Sequence, residues 1–198
     1  DFAINGNGAV TVPVYFKEST DRMAYILNHA ETRIVFVVGS DQLIALLSIR
    51  DQLPSLEHIV VADAGSHIPS DCLRYETLIA SAGGSEVAAY RMRVAQVLPG
   101  QLASIIYTSG TTGEPKGVML SHQAWMTIAD YAHRYLRYGD GEVTVHLAPL
   151  THGSGFLLLP TIAVGGTALV CARFEPSRAL DLFSQEGVTN GFFVPSMV

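Results

Sequence analysis

Lysine is nearly absent from this chain: only Lys17 and Lys116 occur among its 198 residues, and the remaining basic residues are arginines. With 12 basic against 18 acidic residues and a formal net charge of -6, there is no basic run of the kind that displaces counterions from nucleic acid. A nucleic-acid partner is therefore not expected, and any anionic ligand has to be held by a few groups in one place. Cysteine is equally sparse. Cys72 and Cys171 stand far apart without metal-ligand spacing, which argues against a disulfide framework and for a reducing, cytoplasmic setting. Long apolar runs are missing too. The longest, Phe156 to Val164, is interrupted by Pro160 and is too short to cross a bilayer. No charged-then-apolar targeting segment opens the chain. What the chain does have is apolar mass, 48% hydrophobic against 15% charged, which is enough to bury a substantial core.

Short β-rich runs alternate with helical periods, so the fold class is α/β, with mixed sheets and flanking helices. Ala9 to Tyr15 reads as a strand. Ser19 or Thr20 then caps a helix whose Met23, Ile26, Leu27 and Ala30 share a face. Arg33 to Val38 and His58 to Ala62 read as strands around a helix from Asp41 to Leu53 that Pro54 stops. From Asp63 to Val97 the pattern is broken by glycines and prolines, and one short helix near Tyr75 to Ala80 is expected. Leu102 to Tyr107 is a continuous apolar run suited to a buried strand. After a polar loop at 108–117, Ser121 caps a helix through Leu136. Val143 to Leu147, a helix over Gly155 to Val164, and the series Thr167 to Cys171, Pro176 to Glu186 and Gly191 to Val194 complete the pattern.

The chemistry concentrates in Tyr107-Thr108-Ser109-Gly110-Thr111-Thr112-Gly113-Glu114-Pro115-Lys116-Gly117. Glycines at 110, 113 and 117 allow close backbone approach to a ligand. Hydroxyls at 108, 109, 111 and 112 can turn toward phosphate oxygens, and Lys116 adds a compact positive charge. On composition alone, an unliganded Ser/Thr/Gly surface loop accounts for the stretch equally well. It is not the GxxxxGK[ST] loop of common NTPases, because Gly117 follows the lysine and Pro115 removes a backbone donor before it.

The string YTSGTTGEPKGV resembles the phosphate-binding motif of the adenylate-forming superfamily, which includes acyl-CoA synthetases, luciferases and peptide-synthetase adenylation domains. Gly8-Ala9-Val10 through Pro13 with the helix ending near Leu27-Asn28-His29, Pro149 to Gly155, and Phe193-Val194-Pro195-Ser196-Met197 are similar to further segments of that family. Gln101 is a minor departure, standing where relatives often carry an acidic residue. The resemblance implies ATP-dependent activation of a carboxylic acid, a fatty acid first among the classes, to an acyl-adenylate, followed by thioester formation with CoA. It implies Thr108, Ser109, Gly110, Thr111, Thr112, Gly113 and Lys116 as the phosphate contacts, with Lys116 the electrostatic stabiliser of the leaving pyrophosphate. Mg²⁺ is implied as a further cofactor, with its ligands outside this chain. It also implies that 1–198 is an incomplete N-terminal AMP-binding domain, without the C-terminal lid domain and without turnover of its own.

By the same resemblance, His152, Gly153 and Ser154 border the acyl pocket, although a lone histidine in such a loop is more often structural. The segment Thr151 to Leu159 has no acidic residue to pair with a substrate ammonium, which favours fatty or aryl acids over amino acids. Amino-acid adenylation and a binding-only fragment remain the alternatives. A serine hydrolase lacks its G-x-S-x-G turn here. A dinucleotide site is equally poor, since Thr11 replaces the third glycine after Gly6-Asn7-Gly8.

Overall fold

The structure, a computed structural model, describes residues 1–63, 65, 68–108, 113–151 and 153–197. They form two compact units, Asp1–Leu120 and Ser121–Val198.

In the first unit, α1 (Phe2–Gly6) precedes α2 (Thr20–His29). Ser19 starts α2 by accepting the Arg22 amide on its hydroxyl at 3.4 Å. Then come β1 (Ile34–Val38), α3 (Ser40–Ser48), a 3₁₀ turn at Arg50–Gln52, β2 (His58–Ala62), β3 (Leu73–Arg74), α4 (Tyr75–Ser81) and α5 (Gly84–Val94). The strands β1, β2 and β3 are parallel, with Ile34 opposite His58 and Val60 opposite Leu73. β-Branched residues dominate β1 and β2, and their pleat sends Val37, Ile59 and Val61 into a core shared with Leu27, Leu43, Leu46 and Leu53. A second, two-stranded sheet pairs β4 (Leu102–Thr108) with β5 (Lys116–Ser121).

Four expectations change here. Ala9 to Tyr15 is not a strand: Thr11 alone bridges to Ser104, through its amide to Ala103 O at 2.9 Å and its carbonyl to the Ile105 amide at 3.0 Å. Pro13 has no N–H to carry the ladder onward. The helix after β1 ends at Ser48 and tightens into the 3₁₀ turn before reaching Pro54. The 63–97 region holds two helices, because Gly83 opens α5 and its amide is capped by Glu86 Oε2 at 2.9 Å. Finally, the strand β5 begins inside the polar loop, at Lys116.

In the second unit, Ser121 caps α6 (His122–Tyr135) by accepting the Ala124 amide at 3.1 Å. It is followed by β6 (Val143–His146), a 3₁₀ turn at Gly153–Leu157, α7 (Leu158–Ala163), β7 (Thr167–Val170), α8 (Pro176–Gln185) and β8 (Asn190–Gly191). The sheet runs β7-β6-β8, parallel throughout, and places Val145 and Leu147 against Ala179 and Leu182 of α8. The helix expected over Gly155 to Val164 is thus a 3₁₀ turn followed by α7. Pro160 is the third residue of α7, in the first turn, where backbone amides have no intrahelical partner and a proline removes no bond. No helix among the described residues is long and apolar enough to cross a membrane.

Candidate functional site

Of the residues assigned to phosphate binding, Thr108, Gly113 and Lys116 are described; Ser109, Gly110, Thr111 and Thr112 lie outside the described residues. Thr108 is the last residue of β4 and Lys116 the first of β5, both exposed. Lys116 makes no ion pair among the described residues, so its charge is uncommitted there. Gly113 has φ +105°, a conformation that favours glycine, and a Cβ built on it would meet nothing within 4 Å among the described residues. Glycine here thus serves the backbone path. Pro115, by contrast, is buried and anchors the loop's return into β5.

The two stems of the loop meet at Gly117. A Cβ there would lie 2.7 Å from Ile105 Cγ2 and 3.3 Å from Tyr107 Cζ, so the glycine lets β5 pass this close to Ile105, with the Tyr107 ring beside it. The Tyr107 hydroxyl in turn lies 2.6 Å from Nδ1 of His29, the last residue of α2, and Tyr25 stacks on the His29 ring at 5.5 Å. Burial pushes the Tyr107 phenol above its usual range, and the neighbouring Tyr25 adds to this, so it remains protonated at neutral pH. Tyr107 opens the motif string and His29 closes another family-like segment, but neither is given a binding role by its sequence.

In the second unit, His152 lies outside the described residues, while Gly153 and Ser154 open the 3₁₀ turn. A Cβ at Gly153 would come 2.5 Å from Phe192 Cζ, and one at Gly155 would overlap the Leu150 carbonyl oxygen. The space these glycines provide is filled by the protein itself. Ser154 is fully buried, and its carbonyl oxygen and its hydroxyl each lie 3.1 Å from His146 Nδ1. His146 is also fully buried, and its Nε2 has no partner among the described residues. Burial pulls its pKa below the ordinary histidine value of 6.5. A neutral ring protonated at Nδ1, donating to Ser154 O, leaves only a lone pair unpaired at Nε2, which costs less than an orphaned N–H. Beneath it, Thr161 Oγ1 lies 2.7 Å from both Thr144 Oγ1 and Leu157 O, and Tyr138 OH completes this buried polar chain at 3.4 Å from Thr144.

The sequence profile of the AMP-binding enzyme family matches residues 1–198 without a gap at either end. The chain belongs to that family. It is 31% identical over 201 residues to a long-chain-fatty-acid–CoA ligase of Thermus thermophilus, covering 99% of this chain and 35% of that protein. It is 34% identical over 197 residues to a feruloyl-CoA synthase of an Amycolatopsis species, covering 89% and 39% respectively. Among solved structures, the anthranilate CoA ligase AuaEII in complex with anthranoyl-AMP superposes with a TM-score of 0.81 at 27% identity, over 96% of this chain and 36% of that one. The chain spans about a third of the length of the curated relatives it matches. The α/β architecture is thus that of the N-terminal part of an acyl-CoA synthetase-like fold.

The family implies ATP and CoA. The positive-φ backbone at Gly113 and the uncommitted ammonium of Lys116 suit a polyphosphate. No cluster of three or more His, Cys, Asp or Glu that could hold a metal ion stands among the described residues.

Proposed function

We propose that this chain supplies the nucleotide-phosphate-binding part of an ATP-dependent acid–thiol ligase, and that 1–198 is an incomplete N-terminal AMP-binding domain. The observation that carries the reading is the glycine-and-hydroxyl loop at 108–117, strung between β4 and β5 with Lys116 exposed at its end.

In the proposed reaction a substrate carboxylate oxygen attacks the α-phosphorus of ATP. The bond from that phosphorus to the bridging oxygen breaks, pyrophosphate leaves, and an acyl-adenylate forms. A thiolate of CoA then attacks the acyl carbon and AMP departs. Lys116, with the hydroxyls of Thr108, Ser109, Thr111 and Thr112, holds the β- and γ-phosphates; residues 109–112 enter on their sequence alone. The ammonium is fixed where negative charge accumulates on the leaving group, so it lowers the barrier by electrostatic stabilisation and moves no proton. His152, with Gly153 and Ser154, belongs to the acid's side, with Ser154 acting through its buried contact to His146 rather than by direct touch. The absence of any acidic residue between Thr151 and Leu159 supports a fatty or aryl acid as substrate. A cytoplasmic setting is part of the same proposal, supported by the two free cysteines.

The test is mass-spectrometric detection of acyl-adenylate and acyl-CoA when the full-length enzyme is given ATP, Mg²⁺ and CoA with fatty, aryl or amino acids. Products from fatty or aryl acids are expected; products from amino acids alone contradict the substrate class.

A further inference from the structure

The phosphate loop is held at its stems by a side-chain contact from outside the loop. Tyr107 is the penultimate residue of β4, its ring lies against Gly117 on β5, and its hydroxyl is 2.6 Å from His29 Nδ1 at the end of α2. The His29 and Tyr107 rings meet edge-on with centroids 5.7 Å apart, and Tyr25, one turn earlier on α2, stacks on the imidazole with centroids 5.5 Å apart. One tyrosine therefore touches both strands that carry the loop, directly beside Thr108 and Lys116, and a helix outside the sheet fixes where that tyrosine sits.

We infer that His29 and Tyr107 are positioning residues for ATP: the His29–Tyr107 hydrogen bond locks the two stems of the 108–117 loop, Thr108 and Lys116, at the spacing that presents Lys116 to the nucleotide's phosphates. The inference rests on the reading of 108–117 as a phosphate loop. Its chemistry does not depend on the tautomer, since the phenol donates to a bare Nδ1 or accepts from Nδ1–H. Gly117 is the complementary part, because a Cβ there would collide with Ile105 Cγ2 and crowd the tyrosine ring beside it. Misplacing a phosphate-binding group by even an ångström weakens positioning while leaving the fold in place.

The test compares wild type with His29→Leu, Tyr107→Phe, the double variant and His29→Asn in the full-length enzyme. The asparagine side chain places a polar atom where Nδ1 stands. Readouts are amide hydrogen exchange over 108–117, KM for ATP and for the acid separately in ATP–pyrophosphate exchange, and Tm. His29→Leu and Tyr107→Phe are each expected to speed exchange over 108–117 and to raise KM for ATP roughly tenfold, the scale of one lost hydrogen bond. KM for the acid should hold, the double variant should be no worse than either single one, and His29→Asn should recover most of the ATP affinity. Equal rises in both KM values, additive single effects, or an asparagine as poor as leucine would overturn the inference. A wild type without any acid-dependent exchange contradicts the proposed function alone; the lock is then judged by hydrogen exchange, and unchanged protection over 108–117 in His29→Leu overturns it.

Discussion

Ser154 meets His146 twice, through its carbonyl oxygen and its hydroxyl, each 3.1 Å from Nδ1, with both residues sealed from solvent. This contact ties the 3₁₀ turn after Leu150 to the end of β6, and the burial around it, which outweighs the opposing effect of the Ser154 hydrogen bond, makes the second unit sensitive to acid. Burial depresses the folded-state pKa of His146, so the unfolded chain takes up the proton first as pH falls. Its stabilising share is complete above the unfolded value of about 6.5 and is lost progressively below it, at up to about 1.4 kcal/mol per pH unit. Urea unfolding between pH 5 and 7 should therefore show a steeper loss of stability in wild type than in His146→Gln, which cannot titrate. Parallel pH profiles would contradict this.

The glycines of the second unit divide by what surrounds them. Alanine at Gly155 would overlap the Leu150 carbonyl oxygen, whereas alanine at Gly139 would reach no atom nearer than 4.0 Å, the Arg137 carbonyl oxygen. Gly155→Ala should cost about 2 kcal/mol or more, since backbone rather than a flexible side chain must move. Gly139→Ala should be close to neutral. Thermal unfolding of the two variants checks the contrast.

Helix α3 offers an internal control on core packing. Leu46 is 1% exposed within the first unit's core, and Ile44, two residues earlier, is 66% exposed. Leu46→Ala should lose about 2–5 kcal/mol by removing buried methyls and leaving a cavity. Ile44→Ala should stay within about 0.5 kcal/mol of wild type.

Lys116→Ala separates function from fold. The side chain is exposed and has no ion pair among the described residues, so Tm should be unchanged. Loss of one charge aimed at the departing pyrophosphate should lower the adenylation rate by about 10²–10³-fold, the cost of removing a single preorganised stabilising group. An unchanged rate would remove Lys116 from the site.

Much of this fold was legible locally. The β-branched run His58–Ala62 is a strand with those bounds, and the caps Ser19 and Ser121 start α2 and α6 where their hydroxyls indicate. Ala9 to Tyr15 misleads because its residues suit a strand, yet Pro13 denies the ladder a donor. Helix α5 escapes notice because its residues are mostly exposed and show little amphipathic period, while its start depends on Glu86 reaching back to the Gly83 amide. The family was readable from the string at 107–118. The His29–Tyr107 contact joins residues 78 positions apart, and no local spacing announces such a pair. His146 likewise reads as one more alternating strand residue until the turn at Ser154 folds onto it.

Carboxylate-dependent ATP–pyrophosphate exchange by the full-length enzyme tests the central claim most directly, run on wild type and Lys116→Ala with fatty, aryl and amino acid panels. The account predicts exchange by wild type with fatty or aryl acids, nearly abolished in Lys116→Ala. Bound ATP without exchange on any panel would contradict it and leave the chain part of a nucleotide-binding protein that activates no acid.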